Sequence, residues 1–122
     1  MEPKPKTSVL VVDDEHVIAD TLCVILNQAG FNASAVYSGV EAVEVARNET
    51  PDLIISDVAM PIMNGIEAMI LIRKFLPTCK ILLFSGHAAT ASVLATASAQ
   101  GQEFELISKP VHPKDLIARL RA

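Results

Sequence analysis

The stretch SVLVVDDE, Ser8 to Glu15, constrains this chain most. Four aliphatic residues, Val9 to Val12, follow one another without a polar break, then three acids arrive together. A run that is apolar at consecutive positions is a strand buried on both faces, the habit of parallel sheets covered on both sides. Such a strand has no reason of its own to end in mutually repelling carboxylates. Something at that end must account for them.

The rest of the chain repeats the strand signal. FNASAV (31–36), DLIIS (52–56), KILLF (80–84) and FELI (104–107) read as further strands, the first of these the weakest. Helical patterns separate them. Ile18, Leu22, Ile25, Leu26 and Ala29 recur at helical spacing, and Gly30 stops that helix. A second helix runs from about Val40 to Arg47, barred from continuing by Pro51, and a third from Ile66 to Phe75, after the turn signal MNG. A fourth spans about Ala89 to Gln100, and a last one opens near Pro113, a favoured first-turn residue. Strands alternating with helices give an α/β fold: a doubly wound five-stranded parallel sheet with helices on both faces, flavodoxin-like.

In such folds ligands bind beyond the carboxyl ends of the strands, where the strand order switches. Asp13 and Asp14 leave the first strand there, Asp57 the third, Ser85 the fourth and Lys109 the fifth. Parallel strands lie about 4.8 Å apart, so these tips can converge on one pocket. Three carboxylates with oxygen-only donors suit Mg²⁺, which keeps several waters and often serves phosphoryl groups. Lys109 adds a point charge for a phosphate and Ser85 a hydroxyl donor. The set suits a phosphoryl group carried on a carboxylate.

Each residue alone has a plainer explanation. Asp13 or Asp14 could cap a helix, and Asp57 could be a solvated turn residue before Pro61. Ser85-Gly86 could be a turn and Lys109-Pro110 a surface boundary. Their joint occurrence at four strand exits of one sheet favours function.

Composition removes other classes. A net charge of −4 argues against direct contact with nucleic acid. No apolar run approaches the ~18 residues of a membrane span, and residues 1–7, MEPKPKT, read as a disordered tail without a targeting signal. Cys23 and Cys79 are isolated, as reduced thiols of a cytoplasmic protein would be, and the three histidines are too scattered for a zinc site.

With VLVVDDE, PDLIISDVAMPIMNGIE, LLFSG and SKP in order and at matching intervals, the chain resembles the receiver domain of two-component response regulators over 8–122. The resemblance implies that Asp57 accepts a phosphoryl group from a sensor histidine kinase or phosphotransfer protein. It implies Mg²⁺ held directly by Asp14, Asp57 and the backbone carbonyl of Ala59, with Asp13 acting through water. Lys109 would pair with the phosphoryl group, Ser85 would move to meet it, and Pro110 matches the family's cis-proline. By the same match the chain is a switch that assists its own phosphorylation and dephosphorylation, not an enzyme with an outside substrate.

Three positions depart from the pattern or vary within it. Leu106 stands where the family usually has Tyr or Phe, Val111 where Phe often follows Lys-Pro, and His87 where phosphoryl lifetime is tuned. The last helix is a few residues short, as in a piece of a larger protein or a compact stand-alone receiver. Residues 86–102 carry no Asp, Glu, Lys or Arg. Together with the strand after them, to residue 106, they form a candidate surface for an output partner or a dimer, or else a weakly held helix of small residues.

Three rivals carry different expectations. An Mg²⁺-dependent aspartyl-phosphate phosphatase of the haloacid-dehalogenase kind would have Asp-x-Asp where this chain has Asp57-Val58-Ala59. A phosphorylation-independent scaffold would not need the acceptor, acid pair and lysine, although Leu106 suits it. An electron carrier like flavodoxin would need a Ser/Thr-rich phosphate loop after the first strand.

Overall fold

The computed structural model describes residues 6–58, 65–85, 104–108 and 112–121, with the side chains of 65, 66, 85 and 108 outside that description. The elements follow in the order β1 (Ser8–Val12), α1 (His16–Gln28), β2 (Asn32–Val36), α2 (Gly39–Glu49), β3 (Leu53–Asp57), α3 (Gly65–Phe75), β4 (Lys80–Ser85), β5 (Glu105–Ser108) and α4 (Pro113–Arg121). The helix expected over about 89–100 lies outside the described residues.

All five strands pair in parallel, in the order β2-β1-β3-β4-β5. The chain runs outward from β1 to β2, then crosses back to place β3 on β1's other side. That reversal, between β1 and β3, is the switch point of the doubly wound sheet.

Strand periodicity sorts the core into two layers. Leu10, Val12, Ile54, Ile81 and Leu83 face α2 and α3, meeting Ala42, Ala46, Ala68, Met69 and Ile72. Val9, Val11, Ile55, Leu82, Phe84 and Ile107 face the opposite way, toward Ala19, Cys23 and Leu26 of α1 and Leu116 and Leu120 of α4. Both faces of the central strands are therefore covered, as their unbroken apolar runs require. Each fully buried aliphatic side chain contributes about 1.5–3 kcal/mol of transfer free energy. The weakest strand in sequence, β2, is an edge strand in which Asn32 and Ser34 are exposed and Val36 is buried.

Helix ends follow local chemistry. Gly30 adopts φ +99°, a conformation glycine takes without strain, and ends the α1 segment as expected. The second helix begins one residue earlier than its apolar spacing indicated. Ser38 caps it, accepting from the Glu41 N–H at 3.1 Å while its hydroxyl donates to Glu41 Oε1 at 3.3 Å. The Ser-x-x-Glu spacing was the available signal. That helix ends at Glu49, and Thr50 turns the chain left-handed (φ 44°) before Pro51.

Candidate functional site

The sheet register brings the acids together. Val12 aligns with Ser56 across the β1–β3 pair, so the next residues, Asp13 and Asp57, come side by side at the carboxyl edge. Asp57 is the last residue of β3 and is 7% exposed; Asp13 is 2% exposed. Backbone bonds continue beyond the strand ends: the Asp13 N–H donates to the Val36 carbonyl (3.2 Å) and the Val58 N–H to the Phe84 carbonyl (3.0 Å). These bonds hold the acids on a rigid platform. Asp13 Oδ1 accepts from the Glu15 N–H at 3.0 Å, which tightens the turn into α1 and leaves Asp14 exposed.

One carboxylate oxygen from each of Asp13, Asp14 and Asp57 lies within 4.8 Å of the others. At about that separation two like charges repel by roughly 1 kcal/mol in water and up to about 4 kcal/mol near a protein surface. Three oxygen donors, two of the acids buried, with no nitrogen or sulfur ligand in the cluster among the described residues, fit a hard divalent cation better than zinc or copper. Ser56, the residue before Asp57, is also buried, and its hydroxyl donates to the Asp57 carbonyl (3.0 Å). It is satisfied within the strand.

The plainer explanations for the acids do not hold. The N-cap of α1 is Glu15, not Asp13 or Asp14, and its side chain makes no cap bond. Asp57 is a buried strand residue, not a solvated turn.

Ser85 ends β4 in register with Ser108, which ends β5, and Lys109 is next in the sequence. Backbone pairing thus carries β4 and β5 to the same edge as the acids. The Ser85 side chain and Ala59, His87, Lys109, Pro110 and Val111 lie outside the described residues, as do 86–103. Leu106 is half-buried in β5, aligned with Leu83 and packed on the core layer under α2 and α3.

Sequence reasoning missed a group beside the acids. His16, the first residue of α1, stacks on Tyr37 just after β2, with ring centroids 3.8 Å apart and planes 17° from parallel. The Tyr37 hydroxyl donates to Asp20 Oδ1 at 2.6 Å, and that bond pushes the phenol pKa up. One signal was available: His16 and Asp20 are four apart and share a helix face, and Tyr37 directly follows β2.

The two cysteines are free and buried in different core layers. Burial pushes both thiols up to about 11, with Asp20 adding to the rise at Cys23. At Cys79 Arg73 opposes the rise and Asp52 adds to it. Neither thiol has the depressed pKa of a reactive cysteine.

The family model for the response regulator receiver domain matches residues 9–121. The chain is 35% identical to the chemotaxis protein CheY of Thermotoga maritima, over 92% of each chain. It is 32% identical to the probable transcriptional regulatory protein TcrX of Mycobacterium tuberculosis, covering 94% of this chain and 48% of that one. It is equally identical to the DNA-binding response regulator MtrA of Mycobacterium leprae, over 93% of this chain and 49% of MtrA. The chain thus spans about half the length of the longer regulators it matches. Among solved structures, CheY4 of Vibrio cholerae superposes with a TM-score of 0.85 at 28% identity, covering 96% of this chain and 98% of that one. A CheY-like receiver protein of Methanospirillum hungatei superposes with 0.88 at 26% identity, over 96% and 92%. From its sheet order, its carboxylate cluster and these matches, the chain belongs to the receiver domain family of two-component response regulators.

Proposed function

We propose that the chain is a phosphorylation-dependent switch in which Asp57 accepts a phosphoryl group from a phosphohistidine of a sensor kinase or phosphotransfer protein, in the cytoplasm. The observation that carries this reading is the meeting of Asp13, Asp14 and Asp57 at the switch point of the sheet. An Asp57 carboxylate oxygen attacks phosphorus, the P–N bond breaks, and its electron pair returns to the donor imidazole. Asp14, Asp57 and the Ala59 carbonyl are the proposed direct holders of Mg²⁺, and Asp13 an indirect one. Bound there, the ion supplies positive charge to the phosphoryl oxygens. Burial of Asp57 limits competing water, and the platform under Asp13 fixes the geometry. Lys109 is assigned to neutralise the phosphoryl charge and Ser85 to donate a hydrogen bond to it. The same groups would serve hydrolysis of the acyl phosphate, so the chain resets itself without acting on an outside substrate. The DNA binding named for MtrA is not carried over, since this chain has a net charge of −4.

Incubation with acetyl phosphate and Mg²⁺ should add one phosphate by intact mass, and none in Asp57→Asn. Undiminished labelling of that variant overturns the assignment.

The response is proposed to reach 86–106 through Ser85 and Leu106. Leucine cannot fill the space of a tyrosine or make its hydrogen bond, so coupling should be weaker than with an aromatic residue. Amide shifts across 86–106 on adding beryllofluoride should be modest in wild type and larger in Leu106→Tyr. A larger response in wild type means Leu106 switches unaided.

A further inference from the structure

Asp14 differs from the other two acids in being exposed. An exposed carboxylate serves as a ligand at low entropic cost when its backbone is already fixed. Its neighbours show what fixes it. On one side, Asp13 is tied to Val36 and to the Glu15 N–H. On the other, α1 begins at His16, where the N-cap residue Glu15 makes no side-chain cap bond and the first turn holds no acid, so the Asp13 carboxylate on the Glu15 N–H fixes only the residue before the helix. The Tyr37 side chain lies along that turn instead. Its ring stacks on His16, and its hydroxyl reaches Asp20, one turn further on the same face. Because Val36, the residue before it, already carries Asp13 through its carbonyl, a single dipeptide at the end of β2 grips both sides of Asp14.

We propose that Tyr37 is a positioning residue for the cation site, holding the first turn of α1 and with it Asp14. This rests on the reading of Asp13, Asp14 and Asp57 as that site. Tyr37 touches neither the ion nor the phosphoryl donor; it acts through His16 and the backbone. The stack should matter more than the hydroxyl, since His16 is two residues from Asp14 and Asp20 is six.

The test is Mg²⁺ titration followed by the amide shifts of residues 12–14 and 57, on wild type, Tyr37→Ala, Tyr37→Phe and His16→Ala. Tyr37→Ala should bind Mg²⁺ about two- to tenfold more weakly, the span a lost aromatic pair represents. Tyr37→Phe keeps the stack and should stay within about twofold of wild type, as a conservative rescue. His16→Ala, which removes the other ring, should reproduce the loss, so the inference stays testable if Tyr37→Ala fails to fold. Wild-type affinity in both Tyr37→Ala and His16→Ala overturns the inference and leaves the cation site standing. Absence of Mg²⁺ binding by wild type overturns both.

Discussion

Two aspartates five residues apart bracket β3 and have opposite surroundings. Asp52, just before the strand, is exposed and supplied with donors. Its Oδ2 accepts from the Ser8 N–H (3.0 Å) and the Ser8 hydroxyl (3.3 Å), while its own N–H lies 3.0 Å from Ser8 Oγ and 3.1 Å from the Ser8 carbonyl. This is a closed clamp joining the amino ends of β1 and β3. Asp57, at the other end, is buried and faces two more carboxylates. A carboxylate surrounded by donors stabilises the fold, whereas carboxylates gathered within 4.8 Å of one another make a group that could hold a cation. A cavity of about 370 Å³ opens at the amino end, between Asn32 and Ser34 of β2 and Val45 and Glu49 of α2, away from the acids.

The strongest way to break this comparison is to exchange the two roles. Asp52→Asn should take up phosphate from acetyl phosphate as wild type does, where Asp57→Asn takes up none. Asp52→Ala should lower unfolding stability by about 1 kcal/mol in urea titration, because Ser8 loses a charged acceptor at an exposed site. Loss of labelling in a folded Asp52 variant would mean that the amino end takes part in the chemistry.

Next in size is a test at the thiols, one of which feels Asp52. With both pKa values near 11 against an ordinary 9.0, the thiolate population at pH 8 is about a hundredfold below that of an exposed cysteine. Alkylation of native protein should be slowed by at least that factor and become fast in denaturant. These pKa values are raised on folding, so their stability contribution is complete below pH 9 and is lost as pH rises toward 11. The thermal midpoint should fall across that window. Rapid native alkylation of Cys79 would show that the amino end opens far more readily than its clamp suggests.

A smaller effect separates the acids at the carboxyl end. Asp14→Ala should weaken Mg²⁺ binding roughly tenfold or more, and Asp13→Ala less, because Asp14 is the proposed direct ligand. Asp13→Ala should instead cost stability, since it removes the acceptor of the Glu15 N–H. Equal losses of affinity would make the two acids equivalent ligands.

Much of this architecture was legible in the sequence. Unbroken apolar runs such as Val9–Val12 require burial on both faces, and their alternation with helical periods requires crossovers, so the parallel sheet follows from solvent exclusion alone. The strand exits were legible for the same reason: a polar residue ending such a run must lie at the sheet's edge. Local rules read the helix ends less well. The start of α2 lies in the Ser38–Glu41 cap, and apolar spacing is blind to capping.

The tertiary structure decided what depends on register. Sequence places Asp13, Asp14 and Asp57 at strand ends, but the alignment of Val12 with Ser56 and the bonds beyond it set their oxygens within 4.8 Å. It also decided which acid is exposed: Asp13 turns inward to the Glu15 N–H, a choice that two adjacent identical residues cannot announce. The packing of Tyr37 on His16 and Asp20 joins residues up to 21 apart through the pairing of β2 with β1. Periodicity is a property of the chain and survives in one dimension; proximity between elements exists only after the sheet has closed.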